Sequence, residues 1–443
     1  MIIKNANIVN ENTIYKGHLI IDNGIITKII KGSFPDGLVD DNIIDAKDYY
    51  LFPGIIDDHV HFREPGLTNK ADIHSESRAA IAGGITSFME MPNTIPQTTS
   101  IELLEKKFSI AKVSSFANYS FYLGATNNNI DEIKNVDPTK LCGIKLFMGS
   151  STGNMTVNNQ SSLENIFKES KILIAVHCED DNIIEQNIKL YKDKFGEDIP
   201  IKYHTNIRSS EACYKSSSKA IKLATKFNSR LHILHISTAK ELELLDTIPS
   251  INKKITAEAT IHHLWFDNTD YSKYGVRIKW NPSLKTPADK TALLKGLLSN
   301  KIDVIGTDHA PHLFSEKNNS YLKSASGGPM VQHSLLAMLE FYNKGLIKLE
   351  KIVEKMCHTP ADIFQISKRG YIREGYYADI VLVDLNSTHT VTKDNILYKC
   401  KWAPFENYTF NSKITHTIIN GELAYDNGNF NETVRGKRLI FDR

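Results

Sequence analysis

The sequence has no uninterrupted apolar run long enough to span a bilayer. It has almost no net charge either: 53 Lys and Arg stand against 51 Asp and Glu, a formal +2 over 443 residues. These two absences remove membrane and nucleic acid as expected partners. Cysteine is scarce. The five residues Cys142, Cys178, Cys213, Cys357 and Cys400 are odd in number, scattered, and contain no C-x-x-C pair. They read as packing thiols of a reduced compartment, with the cytoplasm as the expected location. The opening "MIIKNANIVNENTIYKG" interrupts its apolar residues with Asn and Lys and does not read as a signal peptide. Internal repeats and low-complexity tracts are also missing. What remains, 41% hydrophobic and 23% charged, is the composition of a soluble globular chain long enough for a large core and more than one domain.

Both ends read as short strands. "HLIIDNGIITKII" places Asn23-Gly24 between apolar runs, a hairpin signal because both turn positions need positive φ. Asn420-Gly421 and Asn427-Gly428 repeat that texture near the C-terminus. The expectation is a small composite β-domain from residues 1–51 with 370–443, flanking a middle of residues 52–369. The middle alternates eight apolar runs with helix-like segments: "FPGIIDDHVHF", "ITSFMEMPNT", "ANYSFYLGAT", "CGIKLFMGSS", "ILIAVHCED", "RLHILHIST", "KITAEATIHHL" and "IDVIGTDHAPH". Capping boxes are expected at Thr99 with Glu102 and at Thr238 with Glu241, each opening a helix. Eight βα units predict an α/β fold, a parallel (β/α)8 TIM-type barrel. A doubly wound sheet would need a glycine-rich nucleotide turn after its first strands, and none is present.

Polar residues end these predicted strands. His59, His61 and Arg63 alternate in "DDHVHFREPG", so on a continuous strand they share a face. Lys145 lies inside "GIKLFMG", His177 ends "IAVH", His235 ends "HILH" and Asp308 follows "IGT". The C-terminal ends of barrel strands are where active sites form. One H-x-H alone is a weak signal; six such residues at one mouth favour metal binding. Six positions exceed the needs of one tetrahedral ion, so two divalent ions such as zinc are expected. His59 and His61 can hold one, His177 and His235 the other. Lys145 needs a partner or a modification in so apolar a run, and a carbamate on it would bridge both ions. Asp308 completes the first ion and can carry a proton.

Taken together, "DDHVHFREPG", "MPNT", "GIKLFMGSSTGNM", His177, His235, "NPSLKTPAD" and "GTDHAPH" resemble the dihydroorotases among the cyclic amidohydrolases of the amidohydrolase superfamily, across the whole barrel. The resemblance implies a distorted (β/α)8 barrel with a small β-sandwich. It implies interconversion of L-dihydroorotate and N-carbamoyl-L-aspartate in pyrimidine biosynthesis, and two zinc ions held by His59, His61, carboxylated Lys145, His177, His235 and Asp308. It implies a homodimer and raises association with aspartate transcarbamoylase. Many longer bacterial members place a bridging aspartate in a "FSDDG"-like stretch, where this chain reads "KLFMGSSTGN" and offers lysine.

On that basis Arg63, which has only donors, is expected to clamp a substrate carboxylate with Asn93 and His312. Asn281 is expected at the ring, and Gly327 and Gly328 to lend backbone amides. Ser151 and Thr152 could close over substrate or be ordinary turn residues. His232, His262, His263 and His309 are expected to be structural, with His232 facing away from the mouth because it lies three residues before His235. Hydantoinases, dihydropyrimidinases and allantoinases act on rings without the carboxylate, so the clamp would serve no purpose there. A non-catalytic scaffold homologue would be expected to have lost ligands, and every position is filled.

Overall fold

The computed structural model describes residues 1–35, 42–149 and 155–443. Ser151 and Thr152 therefore lie outside the described residues. The strands are β1 Ile2–Asn10, β2 Thr13–Asp22, β3 Ile25–Lys31, β4 Ile43–Asp45, β5 Tyr50–Pro53, β6 Ile55–Val60, β7 Ile85–Glu90, β8 Asn118–Gly124, β9 Gly143–Phe147 and β10 Ile174–His177. They continue with β11 Leu231–Ile233, β12 Ile255–Thr260, β13 Val304–Gly306, β14 Ile380–Asp384, β15 His389–Thr390, β16 Thr409–Phe410, β17 Lys413–Ile419, β18 Glu422–Asp426 and β19 Asn429–Phe430.

The eight expected runs supply β6 to β13, which lie side by side in sequence order, each pair parallel. His61 N–H donates to His309 O at 2.7 Å and closes the last strand onto the first. Alternation along each strand separates two cores. Ile144, Leu146, Ile174, Val176, Leu231 and Ile233 face the surrounding helices. Ile56, Met89, Tyr122, Ala175, Leu234 and Val304 fill the barrel. Each such side chain contributes ~1.5–3 kcal/mol on burial, so the pattern fixes which strand residues face inward.

The chain ends form one nine-stranded mixed sheet, ordered β19-β18-β17-β14-β5-β1-β2-β3 with β4 beside β1. Asn23 and Gly24 adopt the positive φ (49° and 80°) expected of the β2–β3 turn. The last residues leave this sheet for the barrel. Leu439 and Phe441 enter the barrel core, and Arg443 donates to Cys142 O and Phe364 O, both at 2.8 Å.

Two helices position the site. Helix α1, Ile73–Ala82, starts at Asp72, whose carboxylate accepts from Ser75 N–H at 2.7 Å. Its buried Glu76 accepts from His309 Nε2 at 2.9 Å and so holds the segment after β13. Helix α2, Ile101–Ser114, is capped by Ser100 rather than the expected Thr99. At Thr238 the expected reciprocal bonds form, the Thr238 hydroxyl accepting from Glu241 N–H at 3.0 Å, but they open only a 3-10 turn, Glu241–Leu244. Among the described residues no helix is long and apolar enough to cross a membrane.

Candidate active site

The first histidine pair depends on an irregularity in β6. Ile56 and Asp58 point into the barrel, and strict alternation would turn His59 outward. The β6–β7 register shifts between Asp57 and Val60, a bulge that re-aims the strand. The carboxylate of Asp57 holds that bend, accepting from His59 N–H at 3.2 Å, Thr307 N–H at 3.1 Å and the Thr307 hydroxyl at 2.6 Å. His59 Nε2 and His61 Nε2 each lie 3.2 Å from Asp308 Oδ1. The outer nitrogens are spoken for: His59 Nδ1 donates to Glu258 Oε2 at 3.0 Å, and His61 Nδ1 to Asn93 Oδ1 at 2.8 Å. Both Nε2 lone pairs therefore face Asp308.

The second pair uses opposite ring nitrogens. His177 Nδ1 lies 2.9 Å from His235 Nε2, while His177 Nε2 donates to Glu179 Oε2 at 3.1 Å. Glu179 is held in turn by an ion pair with Arg208. Burial pushes the Glu179 carboxyl up, but Arg208 and His177 outweigh it and hold the group down at about 2. His235 would face outward by alternation; a left-handed φ of 41° turns it inward. Its backbone N–H donates to Glu258 Oε1 at 3.2 Å, so one carboxylate braces both histidine pairs. The His59 and His235 rings stand 5.4 Å apart.

Lys145 projects into the barrel from β9 with 1% exposure. Among the described residues its Nζ has no hydrogen-bond or ion-pair partner, and the Phe147 ring lies 4.5 Å away. Burial lowers its ammonium to about 7 against the pull of Asp308 and Glu258. Burial also keeps the imidazoles of His59, His61 and His235 well below their usual range, hence neutral and able to ligate. His59, His61 and Asp308 bring their donor atoms within 4.8 Å of one another. Four histidines, a carboxylate and an amine that is partly free base suit a borderline divalent metal such as zinc. Asp58, His232 and Glu258 form a second close group below the mouth. There His232 Nε2 lies 3.0 Å from Asp58 Oδ2, so His232 points into the barrel, contrary to expectation, and pairs with a buried acid.

Arg63 does not inherit its direction from the strand. Regular pairing ends at Val60, and Arg63 adopts φ 70°. Its guanidinium nonetheless lines the same pocket, donating through Nε to Pro311 O at 3.1 Å, with Nη2 3.1 Å from His312 Nε2. Burial lowers the Arg63 pKa to about 10, so it is a cation at neutral pH. Burial and Arg63 push His312 down to about 3, so it is neutral. Asn93 and Asn281 also line the pocket, and Asn281 Oδ1 is buried without a hydrogen-bond partner. Gly327 lines it as well, but its N–H donates to Lys279 O at 2.9 Å and is not offered to a ligand as expected. A β-carbon there would lie 2.6 Å from Ala310 O, and φ is 127°. Gly328 packs against Trp280 and accepts from Ala310 N–H at 3.0 Å.

The histidines read as structural take such parts. His309 Nδ1 accepts from Met330 N–H at 2.9 Å. His262 stacks on Trp280 with ring centroids 4.4 Å apart, and His263 Nε2 donates to Pro282 O at 3.2 Å, fixing the segment that carries Asn281. Sequence reasoning missed Glu258, Glu179 and Arg208. An acid within the apolar run "KITAEATI" was the same kind of signal that singled out Lys145.

A closed parallel barrel with imidazoles, a carboxylate and a lysine gathered at the C-terminal ends of its strands defines a hydrolase scaffold of the metal-binding barrel type. The amidohydrolase family model matches residues 50–424, and the chain belongs to that family. It is 33% identical over 424 residues to the dihydroorotase of Methanosphaera stadtmanae, covering 96% of each chain. It is 33% identical over 429 residues to the dihydroorotase of Pyrococcus furiosus, covering 96% of this chain and 92% of that one. Among solved structures, the L-hydantoinase (dihydropyrimidinase) of Arthrobacter aurescens matches with a TM-score of 0.92 at 26% identity, over 97% of both chains.

Proposed function

We propose that this chain is a dihydroorotase, hydrolysing the ring amide of L-dihydroorotate reversibly to N-carbamoyl-L-aspartate in pyrimidine biosynthesis. The observation that carries the substrate is the buried Arg63 cation beside the histidine cluster: a donor-only group in that position requires an anionic substituent on the ring. Hydantoin, dihydropyrimidine and allantoin rings have none.

Two divalent ions, zinc by ligand type, would be held by His59, His61 and Asp308 on one side and His177 and His235 on the other, with Lys145 between. At a Lys145 pKa of about 7, much of the amine is unprotonated at neutral pH. It can attack CO2 and release a proton, giving a carbamate anion with two oxygens to share. Bound there, the pair would supply Lewis acidity and lower the pKa of a water from ~15.7 to roughly 7. The protein's own groups do the rest. Arg63 and His312 take the carboxylate, the Asn93 carboxamide lies beside them, and Asn281 meets the ring with its unpartnered oxygen. Asp308 takes the proton as water oxygen bonds to the ring carbonyl carbon. It returns that proton to the ring nitrogen as the carbon–nitrogen bond breaks.

Turnover of dihydroorotate against hydantoin, dihydrouracil and allantoin tests the reading; hydrolysis of the neutral rings alone would overturn it. The same reading places the enzyme in the cytoplasm as a homodimer, with aspartate transcarbamoylase as a possible partner enzyme. Light scattering alone and with that enzyme checks both associations.

A further inference from the structure

Lys70 belongs to none of the groups described so far. Its side chain is largely buried, 14% exposed, and its Nζ lies 2.7 Å from Glu316 Oε1 and 3.3 Å from His312 Nδ1. An ammonium offers only donors, so the contact requires the lone pair on Nδ1. The one carboxylate able to claim a proton there, Glu316 Oε2, stands 3.7 Å from Nδ1, beyond hydrogen-bond reach. It is occupied by Leu313 N–H at 2.9 Å. On the other side of the ring, Ser326 O lies 3.1 Å from His312 Nε2. A carbonyl only accepts, so Nε2 must carry the hydrogen. Two independent contacts select one tautomer. The opposite tautomer would set N–H against ammonium and lone pair against carbonyl.

We propose that Lys70, anchored by Glu316, is a positioning residue that holds His312 as the Nε2–H tautomer, so that the imidazole presents a donor beside the Arg63 guanidinium. The inference rests on the substrate reading above only for its last step. In the selected tautomer one contact is left mismatched: Nε2–H faces Arg63 Nη2 at 3.1 Å, donor against donor. An acceptor oxygen seated between them takes both hydrogens. The mismatch thus marks where one oxygen of a planar carboxylate binds, and the chain provides for that anion twice, with a charge on Arg63 and with a proton placed on His312. The burial that keeps His312 neutral is consistent with this, since a neutral ring has a tautomer to set.

The test is a two-bond proton–nitrogen correlation spectrum of the full-length protein labelled with 15N-histidine, with the His312 signals assigned by their loss in His312→Gln. The wild-type protein should show a pyridine-type Nδ1 and a protonated Nε2. Lys70→Met, which keeps the stem and removes the donor, should give mixed tautomers or Nδ1–H. Lys70→Arg should restore the wild-type pattern. In steady-state assays Lys70→Met should raise KM for dihydroorotate about tenfold, with a smaller fall in kcat. A wild-type Nδ1–H signal overturns the proposal, and this reading stands even if Lys70→Met does not fold. A raised KM with an unchanged tautomer also overturns it, leaving Lys70 as a plain charge. If dihydroorotate is not a substrate, the substrate reading fails while the spectra, which need none, still decide the role of Lys70.

Discussion

Replacing Arg63 by Met removes the guanidinium while retaining most of the stem. Arg63 is 3% exposed and makes two contacts of its own, to Pro311 O and His312. Truncating one partner of a buried, hydrogen-bonded charge pair costs about 2–5 kcal/mol of binding. Taking about 3 kcal/mol, KM for dihydroorotate rises ~150-fold at 25 °C. Leaving Pro311 O unpaired costs a further ~1–3 kcal/mol, but this falls on folding stability. Arg63→Lys keeps the charge without the fork, so its loss is smaller. The assay is steady-state ring hydrolysis, with metal content measured on the same preparations. Metal content stays at the wild-type level, because Arg63 has no acceptor to offer an ion. The cation has its own pH signature. With a pKa of about 10, Arg63 is charged below that value and loses its charge above it, so wild-type KM rises as pH passes about 10 while the Met variant shows no such inflection. An unchanged KM in Arg63→Met, or a loss of metal equal to the loss of activity, refutes the clamp.

Asp308→Asn should lower kcat by about 10²–10⁴-fold, the usual contribution of a positioned acid–base group, and circular dichroism should show the fold retained; substantial residual turnover would remove its proton role. Gly306 faces the brace of both histidine pairs, and a β-carbon there would lie 2.9 Å from Glu258 Cδ and 3.0 Å from Asp58 Oδ1. Gly306→Ala should therefore disturb the Glu258–His59 contact and weaken metal retention about 10–100-fold in chelator competition. Glu179 has a folded-state pKa of about 2, below its unfolded value near 4.5. Its stabilisation is complete above pH 4.5 and is lost as pH falls through 2, a change on the order of 3 kcal/mol. Denaturant titrations of Glu179→Gln should show a correspondingly flatter loss of stability across that window.

The barrel was legible because each strand is a short apolar run ending in a polar residue, and the site because those residues are types that apolar strand ends do not otherwise carry. Lys145 was readable from its neighbours alone. Direction was not readable where the backbone departs from regular alternation. The bulge that re-aims His59, the left-handed turn at His235 and the positive φ of Arg63 are set by contacts with segments far away in sequence, such as Asp57 with Thr307. Parity therefore failed for His232, and for Arg63 it reached the right pocket by the wrong route. The partners of the outer ring nitrogens were missed for the same reason. Glu258 and His59 are 199 residues apart, and pairing them requires knowing that β12 and β6 face one another across the barrel.

The account depends most on two cations sharing the side chain of Lys145. Anomalous diffraction at the zinc edge from crystals grown with zinc and bicarbonate tests this directly. Two peaks ~3.5–4 Å apart, one beside His59, His61 and Asp308 and one beside His177 and His235, with forked density beyond Lys145 Nζ reaching both, are the predicted result. A single peak, or an unmodified Lys145 turned away from it, would contradict the account.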